Sequence, residues 1–289
     1  MEALKDITFE VEKSALFGVI GPDGAGKTTL FRILTSLLKP ARGKAHLQGY
    51  DVVKDYKAIR RIVGYMPGRF RLYMDLSVEE NLAFYATIFG TTIEENYHLV
   101  KDIYNQIEPF KDRKAGNLSG GMKQKLALSC AMIHRPEVLI LDEPTTGVDA
   151  VSRKEFWDLL KMLKEQGITI LVSTPYMDEA SLCDRVALMQ KGKLLDIDAP
   201  GQIINKFGHP LFKVITSNMY DLPSNLEDFE QSLSVHRFGD SVHLTVSEGA
   251  GEEEIRHFLD SIGHEKVEVE QIEPDIEDCF MDLMIGKDA

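Results

Sequence analysis

The stretch that decides the fold is residues 15–34, which read ALFGVIGPDGAGKTTLFRIL. Residues 15–20 form a near-continuous apolar run, which predicts a buried strand, and residues 21–26 carry the glycine and proline typical of a turn. From Lys27 onward the apolar residues recur at helical spacing. A strand, a glycine-rich loop and a helix in this order indicate a loop that binds phosphate.

The loop itself matches the pattern GxxxxGK[ST] over residues 21–28. Its glycines let the backbone curl so that N–H groups point at phosphate oxygens, and the start of the helix adds partial positive charge. We expect Lys27 to neutralise the β- and γ-phosphates and the Thr28 hydroxyl to ligate Mg²⁺. The residues predicted to bind ATP or another nucleoside triphosphate are Gly21, Pro22, Asp23, Gly24, Ala25, Gly26, Lys27, Thr28 and Thr29.

An acidic pair, Asp142 and Glu143, follows a second apolar run at residues 138–141. Asp142 is expected to lie beside Thr28 and to hold Mg²⁺ together with it. Glu143 is placed to polarise an attacking water as a general base. The structural alternative is that the pair caps the next helix. The preceding strand and the phosphate loop upstream favour the catalytic interpretation.

Strands and helices alternate through the first 200 residues, which predicts an α/β fold with a largely parallel sheet. Capping boxes at residues 77–80 and 92–95 each begin a helix, within a helical subdomain at about residues 70–135. Further helices are predicted at 122–134, 151–165 and 177–183, and further strands at 7–11, 168–172, 185–189 and 193–197.

The composition changes near residue 200. The 289 residues are 44% hydrophobic and 27% charged, with a net charge of −13, which is usual for a globular protein. Residues 1–200 contain 27 basic and 27 acidic residues, whereas residues 201–289 contain 6 basic and 19 acidic residues. We therefore expect a small acidic α+β domain over residues 201–289. Its predicted strands are 211–216, 232–237, 241–247 and 266–272, and its predicted helices are 252–260 and 275–285.

Charge, cysteines and hydropathy exclude several classes of protein. An acidic module on a neutral body argues against a nucleic-acid partner. Three cysteines far apart in sequence, Cys130, Cys183 and Cys279, fit a reduced intracellular protein better than a disulfide framework. No window approaches ~18 consecutive apolar residues, so we expect no membrane span, and the first residues lack the pattern of a signal peptide.

A second anion site is predicted where Ser119, Gly120 and Gly121 begin a helix. The N–H groups of a helix start attract an anion. The structural alternative is an ordinary serine N-cap followed by flexible glycines. Two anion sites served by one phosphate-binding lysine need a further explanation.

Four motifs together resemble those of the ATP-binding cassette (ABC) ATPases, in order and spacing, over roughly residues 3–200. GPDGAGKT at 21–28 resembles their Walker A motif, VLILDEP at 138–144 their Walker B motif, LSGGMKQ at 118–124 their signature motif, and GVD at 147–149 their D-loop. The resemblance implies a P-loop NTPase fold, with a mostly parallel sheet and a helical subdomain.

Three further segments resemble the ATPases of ABC-2 type exporters: residues 64–73, 78–82 and 176–180. Such ATPases are separate subunits that drive membrane permeases, so the resemblance implies a peripheral position on the inner face of the cell membrane. The acidic extension resembles an accessory domain that many of them carry.

The family resemblance also implies a head-to-tail dimer of ATPase domains, either a homodimer or a heterodimer. ATP is then held between the P-loop of one domain and the signature motif of the other. Ser119, Gly120 and Gly121 would serve the neighbour's nucleotide, which accounts for two anion sites in one chain. Closure around ATP would supply the differential binding energy that moves the permease.

Three departures from the family pattern affect the expected activity. Gly68 stands where the family usually has the Q-loop glutamine, and Pro175 stands where it has the switch histidine. Proline has no side-chain donor or acceptor and no backbone N–H. The segment with the adenine-stacking aromatic residue would precede Met1, so we name no such residue.

The sequence therefore leaves three functions to compare. One is an ATPase subunit that energises an exporter, which Glu143 favours. Another is a hydrolysis-impaired, nucleotide-binding regulatory subunit that pairs with a second ATPase, which Gly68 and Pro175 favour. The third is an ABC ATPase of DNA repair or translation, which the single ATPase domain and the lack of a basic patch disfavour.

Overall fold

The computed structural model describes residues 2–68 and 72–288, with the side chains of 285–288 left out. The chain divides into two compact units, residues 1–200 and 201–289. The strands of the first unit are β1 (Leu16–Ile20), β2 (His46–Leu47), β3 (Tyr50–Asp51), β4 (Val63–Met66), β5 (Val138–Asp142), β6 (Thr169–Thr174), β7 (Arg185–Gln190) and β8 (Lys193–Asp198). The helices within residues 1–205 are α1 (Lys27–Leu34), α2 (Tyr56–Ile62), α3 (Val78–Ile88), α4 (Ile93–Tyr104), α5 (Gly120–Met132), α6 (Ala150–Glu165) and α7 (Pro200–Asn205).

A six-stranded sheet with the order β4-β5-β6-β1-β7-β8 organises the first unit. All neighbouring strands are parallel except β7 and β8, which are antiparallel. Every residue of β1, β5 and β6 is buried, as expected for parallel strands covered on both faces. The carboxyl ends of these three strands meet at one edge of the sheet, where ligands bind in open α/β sheets. The predicted α/β fold class is therefore confirmed.

Both predicted capping boxes form, and they begin α3 and α4 within the predicted helical subdomain. Ser77 Oγ accepts the N–H of Glu80 at the start of α3, and Glu80 accepts the N–H of Ser77 in return. Thr92 and Glu95 make the same reciprocal pair at the start of α4. Each box satisfies two backbone N–H groups that a helix start otherwise leaves unpaired.

The strand predicted at residues 7–11 is wrong, because this segment adopts no regular strand. Its alternation did indicate which side chains face inward. Ile7, Phe9 and Val11 pack against the core of the first unit, and the ring of Phe9 stacks on Phe17 at 5.5 Å. A strand also needs a neighbour in register to pair its backbone, and an alternating sequence by itself does not supply one.

Two other predictions differ in detail. The helix predicted at 177–183 is a short 3₁₀ helix, Asp178–Leu182, and α5 begins at Gly120 rather than at Met122. The hairpin β2–β3, the helix α2 and the strand β4 had no sequence prediction. They are two to seven residues long, too short for a periodic signal.

The second unit is built around a four-stranded antiparallel sheet with the order β10-β11-β9-β12. Its elements are β9 (Leu211–Ile215), α8 (Leu222–Glu227), β10 (Ser232–Phe238), β11 (Ser241–Val246), α9 (Glu252–Ser261), β12 (Glu268–Ile272) and α10 (Ile276–Asp288). The sequence β-α-β-β-α-β with this strand order is the ferredoxin-like arrangement. Alternate residues of β9 and β11 pack with α8 and α9 in one apolar core, and α10 follows the repeat.

Candidate active site

The loop between β1 and α1 adopts the curled backbone that its sequence predicts. Gly24 and Gly26 have φ angles of +80° and +108°, in the left-handed region that favours glycine. A Cβ at position 26 would lie 2.8 Å from the carbonyl oxygen of Ala3, so the turn has no room for a side chain. Gly26 is also the N-cap of α1 and makes no side-chain cap. Nothing on residue 26 therefore competes with an anion for the N–H groups of the first helical turn.

Lys27 is the cation of the site and is only 3% exposed. Its Nζ donates to the carbonyl oxygens of Gly21 at 2.7 Å and Pro22 at 3.1 Å. It also lies 3.2 Å from Oε1 of Glu143. The loop thus folds back onto its own lysine, which holds the ammonium at the end of the helix where phosphate would bind.

Thr28 and Asp142, 114 residues apart, are brought together by the junction of α1 with β5. Thr28 Oγ1 lies 3.1 Å from Asp142 Oδ1. Asp142 is 2% exposed, and Ser173 Oγ donates to the same oxygen at 2.7 Å. A hydroxyl and a carboxylate oxygen are hard donors of the kind that Mg²⁺ prefers, so this pair fits the divalent cation predicted here.

Glu143 follows directly after β5 in a backbone conformation that is uncommon for its residue type. Its φ is +51°, in the left-handed region where non-glycine residues are sparse. Its N–H is shared between the carbonyl oxygen and the hydroxyl of Ser173, at 3.0 Å each. The side chain is 23% exposed, so the carboxylate stands at the edge of the site with access to water.

The remaining loop residues have simpler surroundings. Pro22, Asp23 and Gly24 are exposed, and Ala25 is buried. The carbonyl oxygen of Ala25 accepts the N–H of Gly192 at 2.9 Å, which ties the loop to the β7–β8 turn. Thr29 is half-buried in the first turn of α1.

The second predicted anion site lies at the start of α5. Ser119 is the N-cap, and its Oγ accepts the N–H of Met122 at 3.3 Å. Ser119 and Gly120 are exposed, whereas Gly121 is buried. Within the described residues, no hydrogen bond or ion pair joins these three to the phosphate loop. The two predicted anion sites therefore lie on separate segments of the chain.

Gly121 also has a packing role that the sequence did not indicate. A Cβ at position 121 would lie 2.5 Å from Ser152 Oγ, in the first turn of α6. That turn is capped by Asp149, whose Oδ1 accepts the N–H of Ser152 at 3.0 Å. Hydrogen bonds from this backbone lower the pKa of Asp149. The start of α5 thus packs directly on the start of α6.

Two further contacts connect the loop after Glu143 to its surroundings. Gln124 of α5 donates from Nε2 to the carbonyl oxygen of Pro144. Thr145 Oγ1 lies 3.1 Å from Glu179 Oε2, and both residues are buried. Arg153 of α6 lies 3.8 Å from the other oxygen of Glu179. These contacts join residues that are far apart in sequence, and no sequence motif predicts the contacts.

Two of the three departures from the family pattern, Gly68 and Pro175, lie at this edge of the sheet. A Cβ at position 68 would lie 3.1 Å from the Asp142 carbonyl oxygen and 3.8 Å from Asp142 Oδ2. A side chain on residue 68 would therefore start beside the carboxylate. Pro175 follows β6 directly, while the carbonyl oxygen of Thr174 accepts the N–H of Gly21 at 3.3 Å. The segment after Gly68, residues 69–71, lies outside the described residues.

Sequence reasoning missed Ser173 and Tyr65 as neighbours of the site. Tyr65 lies on β4, and burial together with the charge of Asp142 raises its pKa to about 12. A tyrosine in a strand and a serine at a strand end carry no signal of their own, because their position depends on how the strands pair.

Comparison with known proteins identifies the family. The family model described as "ABC transporter" matches residues 4–146. The Nod factor export ATP-binding protein I of Burkholderia lata is 34% identical over 246 residues, which are 84% of this chain and 80% of that protein. This chain belongs to the ABC transporter family. The Walker A, Walker B and signature segments described above therefore belong to an ATP-binding cassette.

Two further similarities extend the comparison. The probable multidrug ABC transporter ATP-binding protein YbhF of Escherichia coli K12 is 39% identical over 277 residues, 93% of this chain. The aligned part of this chain spans only 47% of that relative's length. A solved dimeric structure of the ATP-binding cassette MJ0796, in a post-hydrolysis state with ADP and Pi, has a TM-score of 0.61 at 25% identity and covers 68% of this chain and 90% of its own.

Proposed function

We propose that the chain binds Mg·ATP at residues 21–29 and hydrolyses it as the ATPase subunit of an ABC-2 type exporter. The observation that carries this proposal is the convergence of Lys27, Thr28, Asp142 and Glu143 at one edge of the sheet, with contacts of 3.1 to 3.2 Å. These four groups supply a cation for the phosphates, a pair of oxygens for a divalent ion and a base for water.

Each residue has a defined role in the proposed reaction. The N–H groups at the start of α1 and the Lys27 ammonium bind and orient the phosphates. Thr28 and Asp142 would hold Mg²⁺, which when bound neutralises charge on the β- and γ-phosphate oxygens. Glu143 orients a water and accepts its proton. Its partly exposed carboxylate is compatible with that role.

The proposal extends to a dimer in which each ATP lies between two ATPase domains. The exposed start of α5 at Ser119 and Gly120, separate from the phosphate loop of its own chain, supports it. The dimeric structure of a similar cassette bound to ADP and Pi supports it as well. Two copies of this chain, or this chain and a second ATPase, would close around ATP with the signature helix of one on the nucleotide of the other.

A separate membrane permease would complete the transporter. Two similar proteins are described as a multidrug transporter component and as a Nod factor export protein, which supports export. Among residues 2–68 and 72–288, no helix has the length and apolarity needed to cross a bilayer. We place the chain against the inner face of the cell membrane, with residues 201–289 as an accessory domain.

Gly68 and Pro175 favour a second candidate, an ATP-binding regulatory subunit with weak turnover. Position 68 adjoins the Asp142 carboxylate, yet glycine offers it no amide, and proline after β6 offers no donor to a phosphate. The loss of one such electrostatic contact commonly costs ~10²–10³ in rate. Such a chain would still lend its signature helix to a more active partner.

Steady-state ATP turnover of the purified chain separates the two candidates. We compare the wild type with Gly68→Gln and Pro175→His, using Gly68→Ala and Pro175→Ala as controls that change the backbone without adding the polar group. Slow wild-type turnover supports the regulatory subunit if it rises about 100-fold in Gly68→Gln and Pro175→His and does not rise in the two alanine controls. Fast wild-type turnover, unchanged in these variants and lost in Glu143→Gln, supports the exporter ATPase. A chain that binds no Mg·ATP contradicts both.

A further inference from the structure

Ser173 lies at the centre of the site, although no motif includes it. It is the fifth residue of β6 and is fully buried, at 0% exposure. The parallel pairing of β5 with β6 places it directly beside Asp142. Position and burial together make Ser173 the polar side chain that β6 contributes to the acidic pair.

The hydroxyl of Ser173 contacts both acidic residues in complementary ways. It donates to Asp142 Oδ1 at 2.7 Å and accepts the N–H of Glu143 at 3.0 Å. A hydroxyl has one donor and two acceptor positions, so both bonds form at once. The same group therefore holds the carboxylate of one residue and the backbone of the next.

The bond to Asp142 fixes which carboxylate oxygen is occupied. Oδ1 receives two hydroxyls, from Ser173 at 2.7 Å and Thr28 at 3.1 Å. Ser173 makes the shorter contact and holds the carboxylate independently of Thr28. Oδ2 is then turned toward the space beside Gly68, where a Cβ would lie 3.8 Å away.

The bond to Glu143 stabilises an unusual backbone. The φ of +51° is sterically unfavourable for a residue with a Cβ. It persists where surrounding contacts hold it, and the N–H of Glu143 is held by two acceptors on Ser173. The direction in which the Glu143 side chain leaves the strand depends on this conformation.

We propose that Ser173 is a positioning residue, whose hydroxyl orients Asp142 toward the divalent cation and Glu143 toward the attacking water. The inference rests on the proposed function, since it assigns the residue that organises the same site. Pro175, two residues further on, offers no side-chain donor, whereas the Ser173 hydroxyl bonds to both acidic residues.

The test compares Ser173→Ala, which removes the hydroxyl, with Ser173→Cys, which replaces it by a somewhat larger thiol that is only a weak hydrogen-bonding group. Titrations with a fluorescent ATP analogue are run in EDTA and in Mn²⁺, and the ratio of the two dissociation constants gives the affinity contributed by the cation. We expect ATP affinity in EDTA to stay within about twofold of wild type. The cation contribution should fall about tenfold, as is typical when a partner of a metal ligand is removed.

Two controls make the result specific. Ser129→Ala removes another fully buried serine hydroxyl, bonded within α5 at 2.9 Å to the Lys125 carbonyl, and should leave the cation contribution unchanged. Ser173→Thr keeps the hydroxyl and should therefore retain most of the cation contribution to ATP affinity. If Ser173→Ala does not fold, as judged by thermal unfolding, Ser173→Cys decides the outcome.

The possible outcomes separate a failure of the Ser173 role from a failure of the proposed function. A wild-type cation contribution retained in both Ser173→Ala and Ser173→Cys overturns the positioning role and leaves the proposed function standing. A wild-type chain that binds no ATP in either titration overturns the proposed function, and the inference with it. A wild-type chain that binds ATP with no contribution from Mn²⁺ overturns the cation site at Thr28 and Asp142, and with it this role of Ser173.

Discussion

Single residues at the end of β5 and the start of α1 balance charge around the buried ammonium of Lys27. Lys27 is 3% exposed and is satisfied by two carbonyl oxygens and the Glu143 carboxylate. A buried ammonium is tolerated only when it is paired and hydrogen-bonded. The same three contacts hold it at the mouth of the phosphate loop, so the stability of the loop and its affinity for an anion depend on one side chain.

The first prediction concerns that side chain. Lys27→Ala should weaken ATP binding at least about tenfold, equivalent to ~1.4 kcal/mol, because the loop keeps its N–H groups but loses its cation. Titration with a fluorescent ATP analogue measures the change. Lys57→Ala, which alters an exposed lysine on α2, should bind as the wild type does. Equal affinity in the two variants would contradict the role of Lys27.

Between elements, the contact of α5 with α6 leaves no room for an added side-chain atom at Gly121. Gly120 and Gly121 are adjacent in one helix and have different surroundings. A Cβ at 120 would meet its nearest atoms at 3.8 Å, whereas a Cβ at 121 would lie 2.5 Å from Ser152 Oγ and 2.7 Å from its Cβ. The signature segment therefore needs glycine at one position for close helix packing, in addition to any contact with nucleotide.

The second prediction uses this pair as its own control. Gly121→Ala should lower the free energy of unfolding by about 1–3 kcal/mol, because the added methyl forces the two helix starts apart. Gly120→Ala should be neutral or stabilise by up to about 1 kcal/mol, because alanine is the better helix former and has room. Urea denaturation measures both.

A double mutant tests the physical cause. Ser152→Gly removes the atoms that the new methyl meets, so it should recover most of the stability lost in Gly121→Ala, and the two effects should not be additive. If the double mutant instead loses the sum of the two single-variant changes in free energy of unfolding, the destabilisation by Gly121→Ala does not arise from this contact.

On the scale of the whole molecule, the feature behind the proposed dimer is the separation of the phosphate loop from the signature segment. The phosphate loop follows β1, and the signature segment begins α5, with its serine and first glycine exposed. A triphosphate bound by the phosphate loop leaves the signature segment of the same chain available. The simplest assembly that uses both is the proposed head-to-tail dimer, in which ATP supplies the contact energy and hydrolysis removes it.

The third prediction follows from that assembly. Glu143→Gln should bind Mg·ATP, turn it over too slowly to reopen, and elute as a dimer in ATP but as a monomer without it. Size-exclusion chromatography with light scattering measures the mass. Adding Ser119→Glu should leave ATP binding by the monomeric chain unchanged and abolish the dimer, because it brings a negative charge to the neighbour's phosphates. A Glu143→Gln chain that binds ATP yet stays monomeric rules out a sandwich of two copies.

Sequence patterns were sufficient for the fold class and for the residues of the phosphate loop. The motif at 21–28 specifies a local backbone, and residues within one loop and one helix turn are fixed by their spacing. Asp142 could also be placed, because it ends an apolar strand and the carboxyl ends of parallel strands share one edge. The alternation at residues 7–11 indicated the inward-facing side chains but not the absence of a strand.

Apart from the fold class and the position of Asp142, what the sequence by itself determined is local: the curled loop around Gly24 and Gly26, the capping boxes, and the acidic composition after residue 200. Only the tertiary structure decided which distant groups meet, as in Ser173 with Asp142, Gly121 with Ser152, and the β10-β11-β9-β12 order of the second sheet. The physical reason is that periodicity and motif spacing report interactions within a few residues of the chain, whereas strand order, register and helix contacts arise from packing the whole unit around its core.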